Sequence, residues 1–237
     1  MAGLVEEPDN ATAEKPAILL HGVTKTFGET RAVSELSLEI PRGRLYGLIG
    51  PNGAGKTTAI RMIMSILQPD CGRISVLGRR SALEAKDRIG YLPEERGLYR
   101  KMRVSAFLEY LGRLKGVPAS LLPERVASRL ARLGLEEYAG KRCEELSKGT
   151  QQKIQFIAAV IHDPDLLILD EPFTGLDPVS TLQLRKLIMA EHDRGATIVF
   201  STHVMAHAEE LCDHIVMIHR GCKVLDDPIA EIRSRYD

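Results

Sequence analysis

The stretch Gly50–Thr58, GPNGAGKTT, constrains this chain more than any other part of it. Gly50, Gly55, Lys56 and Thr57 fill the spacing G-x-x-x-x-G-K-[S/T], directly after the apolar run LYGLI. A loop built of Gly50, Pro51, Asn52, Gly53, Ala54 and Gly55 carries few large side chains, so backbone N–H groups can close around phosphate oxygens. The helix that follows adds its positive dipole end. Lys56 is placed to reach β- and γ-phosphates, the Thr57 hydroxyl to hold Mg²⁺, and Thr58 completes the stretch. Such a loop works only between a buried strand and a helix.

The rest of the chain supplies that setting. AILLHGVTKTF and AVSELSLEI read as two early strands, LYGLIG as a short buried strand, TAIRMIMSIL as a helix stopped near Pro69, and GRISVLG as a further strand. After RIGYLP the character changes. Val104, Phe107, Leu108, Leu111 and Leu114 recur at helical spacing, as do Leu122, Val126, Leu130 and Leu133, with Gly116-Val117-Pro118 between them. Alternation then returns: LLILD as a strand, DPVSTLQLRKLIMAEHD as a helix, ATIVFS as a strand, HIVMIHRGCKVLD as a strand pair. Strands alternating with helices predict an α/β fold with a mostly parallel sheet and helices on its faces. The domain reading is a disordered leader over 1–16, a core over 17–94 and 146–237, and an inserted helical lobe over 95–145.

Composition narrows the partners. Lys plus Arg and Asp plus Glu both number 32, so nothing marks a polyanion such as nucleic acid as the main partner. No apolar run approaches the roughly 18 residues of a membrane span, and the acidic start MAGLVEEPDNATAEKP does not read as a signal peptide. Cys71, Cys143, Cys212 and Cys222 lack C-x-x-C spacing and read as free thiols of a reducing, cytoplasmic compartment.

Two further motifs carry chemistry. In LLILDEP, four apolar residues deliver Asp170 to the end of a buried strand, where it can hold Mg²⁺. Glu171 beside it points differently and can polarise an attacking water. In ELSKGTQQKIQF, Ser147 opens a helix. Those residues fit an ordinary N-cap and a second anion site equally well, and one ATP does not need two such sites in one chain. His203 and His207 stand at i, i+4, but no Glu follows His203 and no third ligand completes a zinc set. His207 reads as helix surface. In IGYLPEERGLYRKM, Glu94 sits at the end of a strand, open to readings as metal ligand, catalytic base, joint between modules, or solvated turn.

Over about 17–225 the chain resembles the ATP-binding subunits of ABC transporters. GPNGAGKTT is similar to the Walker A loop, LLILDEP to the Walker B strand, and LSKGTQQK to the signature written LSGGQ, with Lys148 and Thr150 as departures. Asp177 in TGLDP resembles the D-loop and His203 in FSTH the switch histidine. Phe27 stands where the family stacks an aromatic on adenine, and YLPEERGLY with LSKG resembles exporters of the drug, polysaccharide and sodium-efflux subfamily.

The resemblance implies a P-loop NTPase core with antiparallel N-terminal strands and an inserted α-helical lobe. It implies ATP hydrolysis with Mg²⁺ on the cytoplasmic face of a membrane. It further implies head-to-tail pairing with a second copy or a homologous subunit, in which Ser147 and Gly149 of one chain meet the γ-phosphate held by Lys56 of the other. An integral membrane permease would be a separate chain. Glu94 occupies the family's Q-loop position, where glutamine is usual. An ionised carboxylate accepts hydrogen bonds and binds Mg²⁺ but cannot donate, and Lys148 offers a compensating charge. Two alternatives remain. ABC-type ATPases acting on nucleic acid or ribosomes usually carry two P-loops or a long coiled coil, and this chain has neither; a regulatory module without turnover would not need Glu171 and His203.

Overall fold

Fully apolar strands must be buried on both faces, and the order in which this chain stacks them decides where its loops converge. The computed structural model describes residues 15–95 and 97–236; the leader expected over 1–16 lies outside these except for its last two residues. β1 (Ile18–Phe27) and β2 (Thr30–Ile40) pair antiparallel across a tight turn at Gly28. β3 (Leu45–Ile49) is buried at every position and runs into the glycine loop, and α1 (Lys56–Ile63) follows. β4 (Cys71–Val76) returns to the free side of β1, giving a three-stranded sheet ordered β2-β1-β4.

β5 (Ile89–Leu92) precedes a helical segment formed by α2 (Val104–Leu114) and α3 (Leu122–Ala131), and α4 (Lys148–Val160) leads back. β6 (Leu166–Leu169), α5 (Pro178–Asp193), β7 (Thr197–Thr202), α6 (Met205–Leu211), β8 (His214–His219), β9 (Cys222–Pro228) and α7 (Ile229–Tyr236) complete the chain. The second sheet is ordered β5-β6-β7-β3-β8-β9; its pairs are parallel except the hairpin β8-β9. This is the mixed α/β, mostly parallel architecture of a P-loop NTPase.

Three apolar clusters hold the layers. One lies between the two sheets and α1, around Ile18, Leu38, Ile60, Ile63, Val199 and Val216. The second packs the far face of the parallel sheet on α4, α5 and α6, through Phe156, Leu184, Ile188, Phe200 and Ala208. The third gathers Phe107, Leu108, Leu122, Val126 and Leu130 of α2 and α3 onto Ile154, Ile157 and Ile161 along α4. Arg129 of α3 spans to the core as well. Its guanidinium donates to Glu191 Oε1 on α5 at 2.6 Å and also to Asp163 beyond α4.

The structure departs from the sequence reading in detail. The helix expected over TAIRMIMSIL stops at Ile63, because Ser65 turns into the left-handed region (φ 57°) before Pro69 is reached. α6 and α7, and the 3₁₀ turns over Ala82–Arg88, had no expectation. α6 is a seven-residue helix with one fully buried residue, Ala208, too short to show a period. Among the described residues no helix is long and apolar enough to cross a membrane, and the four cysteines are unpaired.

Candidate functional site

The parallel order brings the C-terminal ends of β3, β6 and β7 side by side, and each end delivers a polar residue. From β3 comes the glycine loop. Gly55 has φ 107°, and a Cβ there would come within 2.4 Å of the Ala32 carbonyl; a Cβ on Gly50 would meet Ile218 O at 2.2 Å. The loop is thus pinned against β2 and β8, and no side chain with a Cβ fits at either position. α1 begins at Lys56 with no side-chain cap, so its first N–H groups are left facing the loop.

Lys56 is 5% exposed. Its ammonium donates to Gly50 O at 2.7 Å and Pro51 O at 3.2 Å, and lies 3.4 Å from Glu171 Oε1. Asp170 and Glu171 follow β6 and do point apart, as the sequence suggested. Asp170 Oδ1 accepts from Thr57 Oγ1 at 3.3 Å and from Ser201 Oγ at 2.6 Å. Glu171 faces Lys56 through Oε1 and His203 Nδ1 through Oε2 at 3.0 Å, with the Thr174 hydroxyl 3.4 Å away. The backbone of Glu171 is left-handed, φ 49°, which for a residue with a Cβ stores about 1–3 kcal/mol of strain. Its N–H is held by Ser201 Oγ at 2.9 Å.

The donor set fits a phosphate-bound Mg²⁺. Asp170 Oδ2 is buried with no hydrogen-bond partner beside the Thr57 hydroxyl, and Mg²⁺ is held by one or two protein oxygens together with phosphate and water. Burial pushes the Asp170 carboxyl up, against the lowering effect of its bonds from Ser201 and Thr57. A divalent cation at Oδ2 would reverse that.

An open cavity of about 380 Å³ lies over the loop, lined by residues 52–58 and by Phe27, Ala32, Glu94 and Glu171. Phe27 is 48% exposed at its mouth, with the Lys25 ammonium 5.7 Å from the ring centroid; Lys25 is in turn fixed by Asp70 at 2.7 Å. Glu94 is exposed, just beyond β5, where Leu92 O receives the N–H of Asp170 at 2.8 Å.

Ser147, Gly149 and Asp177 form a separate group. Ser147 caps α4, its oxygen accepting from Thr150 N–H at 3.2 Å, while the Thr150 and Ser147 hydroxyls share a bond of 2.9 Å. Asp177 caps α5 through Ser180 N–H and Oγ, bonds that hold its carboxyl below the usual range. A Cβ on Gly149 would lie 2.7 Å from Ser180 Oγ, so α4 and α5 touch there. None of this group lines the cavity over the loop.

Two features escaped the sequence. His207 is not free helix surface: it is half-buried, edge-on to Phe173 at 4.7 Å between ring centroids, and burial pushes its pKa down. Ser201 was not singled out, although it stands two residues before His203 on a strand that pairs with β6; only the register exposes it.

The model for the ABC transporter family matches residues 33–174. The chain is 48% identical over 214 residues to the ABC transporter ATP-binding protein YhaQ of Bacillus subtilis (strain 168), covering 90% of this chain and 72% of that one. It is 39% identical over 213 residues to the Nod factor export ATP-binding protein I of Bradyrhizobium diazoefficiens, covering 89% and 70% respectively. A solved ATP-binding subunit of an ABC transporter matches with a TM-score of 0.85 at 29% identity, covering 93% of each chain. The chain belongs to the ABC transporter family. Within it, the chain is an ATP-binding subunit, an ATPase.

Proposed function

We propose that this chain powers export across a membrane by pairing head to tail around ATP, with a second copy or a homologous subunit, on the cytoplasmic face of a separate membrane permease. The observation that carries this is the division of the site. Lys56, Thr57 and Glu171 line one cavity, with Asp170 bonded to Thr57 and His203 to Glu171, whereas Ser147, Gly149 and Asp177 cluster elsewhere at the N-termini of α4 and α5. Two phosphate-facing helix ends that do not meet in one chain meet when two chains oppose each other. Val179 and Leu182 project from α5 into solvent immediately after Asp177, an apolar rim suited to that seam.

Each residue of the site then has a role. Residues Gly50 to Thr58 cradle the phosphates, with Lys56 turning from its loop carbonyls to the β- and γ-oxygens. Thr57 and Asp170, with Glu94 at the cavity edge, hold Mg²⁺, which neutralises phosphate charge when bound. Glu171 accepts a proton from the attacking water. His203, bonded to that carboxylate at 3.0 Å, orients it and reaches the γ-phosphate. Phe27 stacks on adenine. Ser147 and Gly149 of the partner copy bind the γ-phosphate, and Asp177 lines the seam.

The lobe over 95–145 docks the permease. A groove of about 320 Å³, floored by Tyr91, Pro93, Phe107, Leu111 and Leu114, opens next to Glu94 and supports that assignment. Export is supported by the relative named for Nod factor export. Glu94 and Lys148 are both exposed, free to offset each other's charge across the seam.

The test is co-purification of the tagged chain with an integral membrane protein, followed by ATPase assay with and without that partner. Glu94→Ala should cut the stimulated rate more than the basal rate and leave nucleotide affinity within about tenfold; Glu94→Gln should partly restore stimulation. Equal loss of both rates would remove the coupling role. Additive effects of Lys148→Ala and Glu94→Gln on ATP-dependent dimerisation would remove the charge compensation.

A further inference from the structure

We propose that Ser201 is the positioning residue of the hydrolytic site, aiming the Asp170 carboxylate at the metal and fixing the backbone of Glu171. The inference rests on the metal and base roles given above to Asp170 and Glu171.

β6 and β7 run parallel with Leu169 opposite Phe200, so the next rung sets Asp170 beside Ser201. β3 pairs with the other edge of β7, Leu48 opposite Ser201, and the serine is fully buried at 0% exposure. A hydroxyl has one proton and two lone pairs. Here the proton goes to Asp170 Oδ1 at 2.6 Å and the oxygen accepts the Glu171 N–H at 2.9 Å.

Thr57 donates to the same Asp170 oxygen, Oδ1, at the longer distance of 3.3 Å. Both donors therefore satisfy one carboxylate oxygen and leave the other, Oδ2, buried and without a partner. That oxygen is the one left for a cation or its water. Among the described residues, losing the short bond from Ser201 would leave the Thr57 hydroxyl as the carboxylate's one hydrogen-bond donor. The second bond of Ser201 holds a residue in the left-handed region, φ 49°, whose side chain must reach Lys56 and His203 together. His203 itself lies two residues on from Ser201, just past the end of β7. One hydroxyl thus ties together the metal ligand, the base and the strand that carries the histidine.

A serine that only satisfied a buried strand end would, on removal, lower stability without changing the metal requirement. The full-length chain, Ser201→Ala, Ser201→Cys and Asp170→Asn are compared by titrating Mg²⁺ against a fluorescent ATP analogue, with metal-free binding measured in chelator. Ser201→Ala should raise the Mg²⁺ concentration at half-maximal binding about tenfold, keep metal-free affinity within about twofold, and lower kcat more than it raises KM. Asp170→Asn should raise the Mg²⁺ requirement at least as far. If Ser201→Ala does not fold, Ser201→Cys, similar in size and a weak donor, carries the measurement with an expected several-fold rise. A requirement within about twofold of wild type in the folded Ser201 variant, with Asp170→Asn shifted, overturns the role of Ser201 alone. An unshifted Asp170→Asn overturns the metal reading and this inference with it.

Discussion

Glu171→Gln should tighten ATP binding while removing turnover, and the resting geometry gives the size of the first effect. Lys56 and Glu171 are 6% and 8% exposed at the side chain and 3.4 Å apart. At an effective dielectric near 20 that separation corresponds to about 5 kcal/mol of gross attraction. Burying both ions offsets most of it, leaving on the order of 1 kcal/mol net. ATP must draw Lys56 out of this pair and away from Gly50 O and Pro51 O. A neutral amide at 171 removes the competition, so ATP affinity should rise roughly fivefold. The amide cannot take a proton from water, so turnover should fall by about 10²–10⁴-fold. The assay is nucleotide binding by fluorescence, single-turnover hydrolysis, and size-exclusion chromatography with ATP, where the variant should run as a trapped dimer. Turnover within a few-fold of wild type would refute the base assignment. Unchanged or weaker ATP affinity would refute the resting clamp on Lys56.

Phe27→Ala should raise the KM for ATP about 5- to 30-fold with a smaller change in kcat, since an exposed ring offers stacking worth about 1–2 kcal/mol; GTP should serve as a fair substitute, and an unchanged KM would show that the ring does not meet the base. Arg129→Ala should cost about 2–3 kcal/mol in chemical denaturation, because Glu191, with a side chain only 5% exposed, would keep Arg194 alone at 2.9 Å; a loss under about 1 kcal/mol would show the network to be replaceable by water. His162 donates to Ile89 O at 3.1 Å while its Nδ1 is buried without a partner, and burial, ahead of the nearby Lys115 charge, takes its pKa down to about 4. Its folded pKa lies below the unfolded value, so the unfolded chain binds the proton first: the stability it contributes is complete above about pH 6.5 and is lost as pH falls toward 4, by roughly 2 kcal/mol after allowance for partial exposure. His162→Gln should flatten that acid limb of a stability–pH curve, and an unaltered slope would place the titration elsewhere.

Much of this protein is written locally. A P-loop, an acid at the end of LLIL and a serine before a helix are short-range patterns, each enforced by backbone sterics or strand burial, so Lys56, Asp170, Glu171 and Ser147 could be placed from sequence spacing alone. The helical face of Val104, Phe107, Leu108 and Leu111 was legible for the same reason: a 3.6-residue period is a property of consecutive residues. What the sequence could not show was anything that depends on strand order. β6 and β7 are adjacent, and β3 lies on the far side of β7, only because the chain crosses over between them. That crossover sets Ser201 against Asp170 and Glu171, lifts His203 onto the Glu171 carboxylate, and turns His207 inward onto Phe173. Arg129 and Glu191 likewise meet across a gap in sequence that no local pattern spans. A side chain's chemistry is fixed by its own residue. Its protonation, its partners and the lone pair it leaves free are fixed by neighbours that only packing brings within hydrogen-bond range.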